Sequence, residues 1–211
     1  INGWTFNTKP EVSWDSAPFL RATEELKSWG DNGYFTPDYN AVGYDDATAR
    51  FAAGEGVFFP AGTWVTGTVA QGTGDFGFFL PPPLSTDSQL RVEGGQGQFW
   101  AISGKSANPD VAAAYLDHLT SQTAGEELIK IQAIPGFAME SVPAVEPGLY
   151  ADVFAAVQDV NANYTVSTYV DASTATMLTT SGEGHQKLLA GQMTPQEFVS
   201  SVQADHDAVY K

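Results

Sequence analysis

The chain has 211 residues, enough for one sizeable core or one domain with an appendage, and 43% hydrophobic with 16% charged residues is too apolar for a disordered chain. Nine basic against 25 acidic residues leave a net charge of -16, a surface from which a polyanion gains nothing, so the composition argues against nucleic acid and anionic membranes as partners. With no cysteine, zinc–thiolate sites, disulfides and thiol nucleophiles are excluded, and no apolar run approaches the roughly 20 residues that span a bilayer.

The opening Ile1-Asn2-Gly3-Trp4 has neither a basic leader region nor an initiator methionine, and reads as the start of a fragment or processed product. Ser16-Ala17-Pro18 then reads as a helix entry, with proline tolerated in the first turn. Phe19, Thr23, Leu26 and Trp29 follow at helical spacing until Gly30 and Gly33. Asp45 and Asp46 open a short helix stopped by Gly54. Val57-Phe58-Phe59 predicts a buried strand, and Gly62-Thr63-Trp64 leads into a helical turn around Val65 and Val69. Phe76 to Leu80 predicts a second strand, cut off by Pro81-Pro82-Pro83, which continue neither strand nor helix.

The loop from Gly94 to Gly97 enters a third expected strand, Gln98 to Ser103. Asn108-Pro109 caps and starts a helix with an apolar stripe at Val111, Tyr115, Leu116 and Leu119. Ser121 begins another, broken at Pro135-Gly136. A helix is expected from about Leu149 to Asn161, a strand from Tyr164 to Val170, and a helix from about Thr174 to Ala190, ended by Gly191. Thr194-Pro195-Gln196-Glu197 is a capping box that starts the last helix through Phe198, Val202 and Val209. Short strands among amphipathic helices make an α/β class. The expected fold packs the helices from Ser16, Leu149 and Thr194 on a small mixed sheet.

Few motifs carry chemistry. Gly72 to Gly77 fits G-x-G-x-x-G, but a helical turn precedes it and a strand follows, the reverse of a dinucleotide site, so it reads as a turn. His118, His185 and His206 fall on separate expected helices without metal-ligand spacing, and read as solvent-facing positions. No nucleophile elbow or metal motif occurs, so no catalytic residue, metal or cofactor is expected. Asn163-Tyr164-Thr165 matches a glycosylation acceptor, a short pattern that arises by chance. Core or surface packing accounts for Trp14 and Trp29. Trp64 and Trp100 differ, because each sits between a strand and a glycine-rich turn. A pyranose offers one apolar C–H face to a flat indole and a rim of hydroxyls to small polar partners, so a tryptophan beside Gly, Gln and Asp suits a sugar, although core packing also accounts for any single one.

The stretch Phe51-Ala-Ala-Gly54-Glu55-Gly56-Val57-Phe58-Phe59-Pro-Ala-Gly62-Thr-Trp64 resembles a segment of family 1 bacterial extracellular solute-binding proteins, the maltose-binding-protein relatives. So do Phe76-Gly-Phe-Phe-Leu-Pro-Pro-Pro83 and Gly94-Gly95 leading to Phe99-Trp100-Ala101-Ile102-Ser103. Two more blocks agree in order and spacing, Ser106-Ala-Asn108-Pro109-Asp110 through Ser121 and Leu188 through Phe198.

The resemblance implies the C-terminal portion of a two-lobed, type II periplasmic-binding-protein-like fold, with the ligand held between the lobes. Residues 1–80 and 121–211 would belong to the C-terminal lobe. Residues 81–120 would cross to an N-terminal lobe whose opening part is absent. Carried over by motif, Gly62 and Trp64 would form the stacking platform, Gly95 and Gln96 would offer amides to sugar hydroxyls, and Trp100 and Asp171 would be further ligand contacts. The implied function is the capture of a sugar or oligosaccharide for the permease subunits of an ABC importer. The implied location is extracellular, lipid-anchored at the cell surface, or periplasmic. A carbohydrate-active enzyme fragment and a non-catalytic module of a secreted assembly are the alternatives.

Overall fold

The structure, a computed structural model, describes residues 2–9, 11–82, 92–94, 100–163 and 166–210. In chain order the helices are α1 (Asn2–Thr5), α2 (Ala17–Asp31), α3 (Tyr44–Ala52), α4 (Thr66–Ala70), α5 (Pro109–Leu119), α6 (Gln122–Lys130), α7 (Leu149–Asn163), α8 (Met177–Leu189) and α9 (Pro195–Tyr210). Strand β1 (Val92–Glu93) pairs with β2 (Val166–Ser167). The chain divides into two compact units, one of Ile1–Val42, Glu93–Gly95 and Val166–Lys211, the other of Gly43–Val92 and Gln96–Thr165.

In the first unit, α2, α8 and α9 pack on one another. The capping box forms as its sequence demands. Thr194 N–H donates to Glu197 Oε2 at 2.8 Å, and Glu197 N–H donates back to Thr194 Oγ1 at 3.2 Å. Those bonds from Thr194 hold the Glu197 carboxyl below its ordinary pKa. From this start α9 buries Phe198, Val199, Val202 and His206 at helical spacing. Trp4, Met177, Phe198, Val199 and Val202 form the core of the unit. His206 is 4% exposed, a correction to the solvent-facing reading: it continues the buried stripe of Phe198 and Val202, its ring stacks on Trp4 at 4.3 Å, and Nε2 bonds the Trp4 carbonyl at 2.7 Å. His185 is also drawn inward, against Phe198 at 4.5 Å, and burial lowers its pKa although a backbone bond to Ser181 opposes this.

Asp205 ties α9 to the entry of α8. Its carboxylate accepts from the hydroxyls of Thr174, Thr176 and Thr180. Burial raises its pKa, but those hydroxyls and the His206 charge outweigh burial and hold it below the ordinary range. A depressed folded pKa stabilises above the unfolded value, and that contribution is lost as pH falls through the folded one. Acid unfolding below about pH 4 should therefore be steeper for the wild type than for Asp205→Asn. Equal acid slopes in pH-dependent denaturation would remove this carboxylate from the account.

In the second unit, α3 packs on α4, α4 on α7, and α5 on α6. Ser121 caps α6 by accepting from Ala124 N–H at 3.3 Å. Ile129, Tyr150 and Phe154 form the core, and the Tyr150 hydroxyl donates to the Ala133 carbonyl at 2.9 Å. The G-x-G-x-x-G stretch is a turn after α4. At Gly72 a β-carbon would lie 2.2 Å from the Ala52 carbonyl oxygen, so glycine is needed there for close approach to the end of α3, not for a nucleotide.

Among the described residues the sheet is the single β1–β2 pair. Val57 to Phe59 and Phe76 to Leu80 are irregular and pair with no strand among the described residues, and Val57, Phe58 and Phe79 are exposed. An apolar run is buried as a strand only where a neighbouring strand satisfies its backbone groups, and no strand among the described residues pairs with these two. The third expected strand falls partly outside the described residues, and its remainder, Trp100 to Ser103, is irregular. The helix from Leu149 packs on α4, while those from Ser16 and Thr194 pack together in the first unit.

Candidate functional site

Trp64 stands where α3 and α4 meet. Gly43 is extended and starts α3 at Tyr44, and Asp45 and Asp46 in the first turn complement the positive end of the helix. Thr48 and Ala52 of α3 and Thr66 and Val69 of α4 are buried, so both helices are anchored by short side chains. At Gly62 the chain enters a single 3-10 turn, Thr63–Val65, that runs straight into α4. Thr63 and Trp64 are both exposed in this turn, Trp64 with 63% of its surface accessible.

The indole does not extend freely. It folds back over Gly62, where a β-carbon would lie 2.2 Å from the six-membered ring. Its Nε1–H donates to the hydroxyl oxygen of Tyr44. The six-membered ring therefore lies close over the Gly62 backbone, its nitrogen edge meets Tyr44, and most of the residue's surface stays accessible. The same unit exposes Phe58 and Phe79, paired edge to face at 6.0 Å. Beneath the neighbouring turn, Phe51 packs against Phe59 and Phe76, each at 5.2 Å.

The other expected contacts are dispersed. Trp100, 64% exposed, lines an open groove of about 450 Å³ with Ile102, Ser103, Lys105, Tyr115 and Leu116. Asp171 lies in the first unit, exposed in the turn Val170–Ala172. It belongs with Glu93 and Tyr169: burial first and the Asp171 charge second raise the Glu93 pKa, and burial followed by the charges of Glu93 and Asp171 raises that of Tyr169. Gly95 and Gln96 lie outside the described residues. Tyr44 was not anticipated. Its only sequence signal is a tyrosine at the start of a short helix, and its partner is twenty residues away. Among the described residues no group of three or more His, Asp or Glu is placed to hold a metal ion.

This arrangement offers an aromatic surface and no assembled nucleophile, base or metal centre among the described residues. A model of the bacterial extracellular solute-binding protein family matches residues 2–163, most of the chain. The chain belongs to that family. This solute-binding protein is accordingly a binding protein and not an enzyme, and its family is extracellular. No described helix is long and apolar enough to cross a membrane. No curated protein sequence matches. A solved structure titled chitin oligosaccharide binding protein is similar in fold, with a TM-score of 0.81 and 21% identity. The match covers 98% of this chain and 52% of that one, so the solute-binding protein described here spans about half the length of its structural relative.

Proposed function

We propose that the full-length protein is the receptor of an ABC importer, capturing a sugar or oligosaccharide and delivering it to membrane permease subunits. The observation that carries this reading is the Trp64 indole, folded over Gly62 with 63% of its surface accessible. A pyranose C–H face covers such a surface, and aromatic stacking contributes about 1 kcal/mol. The likeness to a chitin oligosaccharide binding protein supports a sugar, and makes N-acetylglucosamine oligomers the first probe. Gly62, Gly95, Gln96, Trp100 and Asp171 are its other proposed contacts. In the full receptor, residues 1–80 and 121–211 are assigned to the C-terminal lobe, with its mixed sheet completed there, and 81–120 to the crossing segment.

The test is calorimetric titration of the full-length protein with a sugar panel. Trp64→Ala should weaken binding about fivefold or more, the equivalent of one stacking contact. Gly62→Ala should weaken it comparably at nearly unchanged melting temperature, because the exposed ring swings into solvent to clear the new methyl group. Unchanged affinity in both variants would refute the platform. Failure of every sugar to bind the wild type would favour an interaction module.

A further inference from the structure

We infer that Asn32 is a site of spontaneous covalent modification: the Gly33 backbone nitrogen closes on its side-chain carbonyl carbon, releasing ammonia and leaving aspartate and isoaspartate at position 32. The sequence contains Asn-Gly twice, at Asn2-Gly3 and at Asn32-Gly33. Glycine favours such a ring closure, because it has no β-carbon to hinder the approach of its own nitrogen and its backbone turns readily. The dipeptide alone would mark both positions, and the structure separates them.

Asn32 and Gly33 are both exposed and follow α2 directly, Asn32 as its C-terminal cap and Gly33 in the left-handed region at φ 70°. A β-carbon on Gly33 would meet no atom within 4 Å, so space surrounds the reacting nitrogen. Asn32 has helical backbone angles, φ -83° and ψ -1°, and closure requires that ψ to swing away. Two hydrogen bonds hold the turn: Gly33 N–H donates to the Gly30 carbonyl at 3.1 Å, and Tyr34 N–H to the Trp29 carbonyl at 3.0 Å. Both belong to a helix end, where local opening costs little. Asn2-Gly3 is held more firmly. Asn2 Oδ1 accepts from Thr168 N–H at 2.7 Å, and the Gly3 carbonyl accepts from Thr8 N–H at 2.8 Å and Lys9 N–H at 3.0 Å. Trp4, the next residue, is 1% exposed within the core. Turning the Gly3 nitrogen toward Asn2 therefore means opening that core, at a cost approaching the stability of the unit.

The reaction balances with water alone and needs no ligand. The Gly33 amide gives its proton to solvent and its nitrogen bonds to Asn32 Cγ. The carboxamide nitrogen takes up a proton and departs as ammonia, leaving a cyclic succinimide. One water then opens either ring carbonyl, giving aspartate or isoaspartate, the latter with its main chain running through the former side chain. Either product adds a carboxylate beside Asp31 at the negative end of α2.

The test is peptide mapping by mass spectrometry of the full-length protein after warm incubation in mildly alkaline buffer. Position 32 should gain the mass of an NH exchanged for an oxygen, with isoaspartate among its products, about tenfold faster or more than position 2. In denaturant, where neither dipeptide is held, the two should react at comparable rates. Gly33→Ala should slow the reaction at Asn32 in native and denatured protein alike, so its outcome does not depend on folding. An unmodified Asn32 in the native protein, equal native rates at the two positions, aspartate formed without isoaspartate, or an undiminished rate in Gly33→Ala would each overturn the assignment.

Discussion

Trp4→Ala is expected to destabilise the chain by about 3–5 kcal/mol, the usual loss for truncating a buried aromatic residue. Trp4 is 1% exposed and joins the core of Met177, Phe198, Val199 and Val202. Its indole stacks on His206 and lies 5.0 Å from Trp14, and its Nε1–H donates to Gln203 Oε1 at 2.9 Å. Helix α1 has only four residues, too few to be stable without tertiary packing, so Trp4 is what attaches it to α9. Removing the indole opens a cavity against α9 and uncovers His206. With domain stabilities of about 5–15 kcal/mol, such a loss leaves the first unit near its limit. Denaturant titration reads the effect as a lower midpoint. Trp29→Ala is the control: Trp29 is exposed and its indole N–H donates to Glu25 of its own helix, so its loss should be below about 1 kcal/mol. A similarly small change at Trp4 would mean that α1 is not part of this core.

Local rules identified the helices well, because their signals are local. The box at Thr194 and Glu197 closes within one turn, Ser121 caps its own helix, and Phe198 and Val202 declare a buried face by spacing alone. What escaped were the pairings made across the chain. Trp4 lies in a helix too short to show a period, and its partners are about two hundred residues away. His206 occupies a stripe position with a polar side chain, and its burial depends on a ring-stacking partner and a carbonyl from α1. The run Val57-Phe58-Phe59 has the composition of a strand, but strand formation needs a second strand, which composition does not supply. For the site, Gly62 and Trp64 were legible as neighbours in one turn, whereas Tyr44 depends on the packing of α3 on α4.

This 211-residue chain by itself should bind sugars more weakly than about 1 mM. A tight small-ligand site buries about 70–90% of its ligand. The chain spans 52% of the structural relative, and in the two-lobed arrangement that its motifs resemble each lobe supplies one wall. A pyranose on Trp64 would keep its other face and much of its hydroxyl rim in water. Those hydroxyls gain little, since each bond to protein replaces one to solvent. Stacking on the exposed indole contributes about 1 kcal/mol. Fixing the sugar in place costs an estimated 4 kcal/mol or more in translational and rotational freedom, so the contact does not offset it. The comparison is calorimetric, this chain against the full-length protein with the same N-acetylglucosamine oligomers. Micromolar affinity for the full-length protein and none measurable for the chain would place the missing binding energy in the remainder of the receptor. Micromolar binding by the chain would mean that residues 1–211 already enclose the sugar, and that the single-wall reading of Trp64 is wrong.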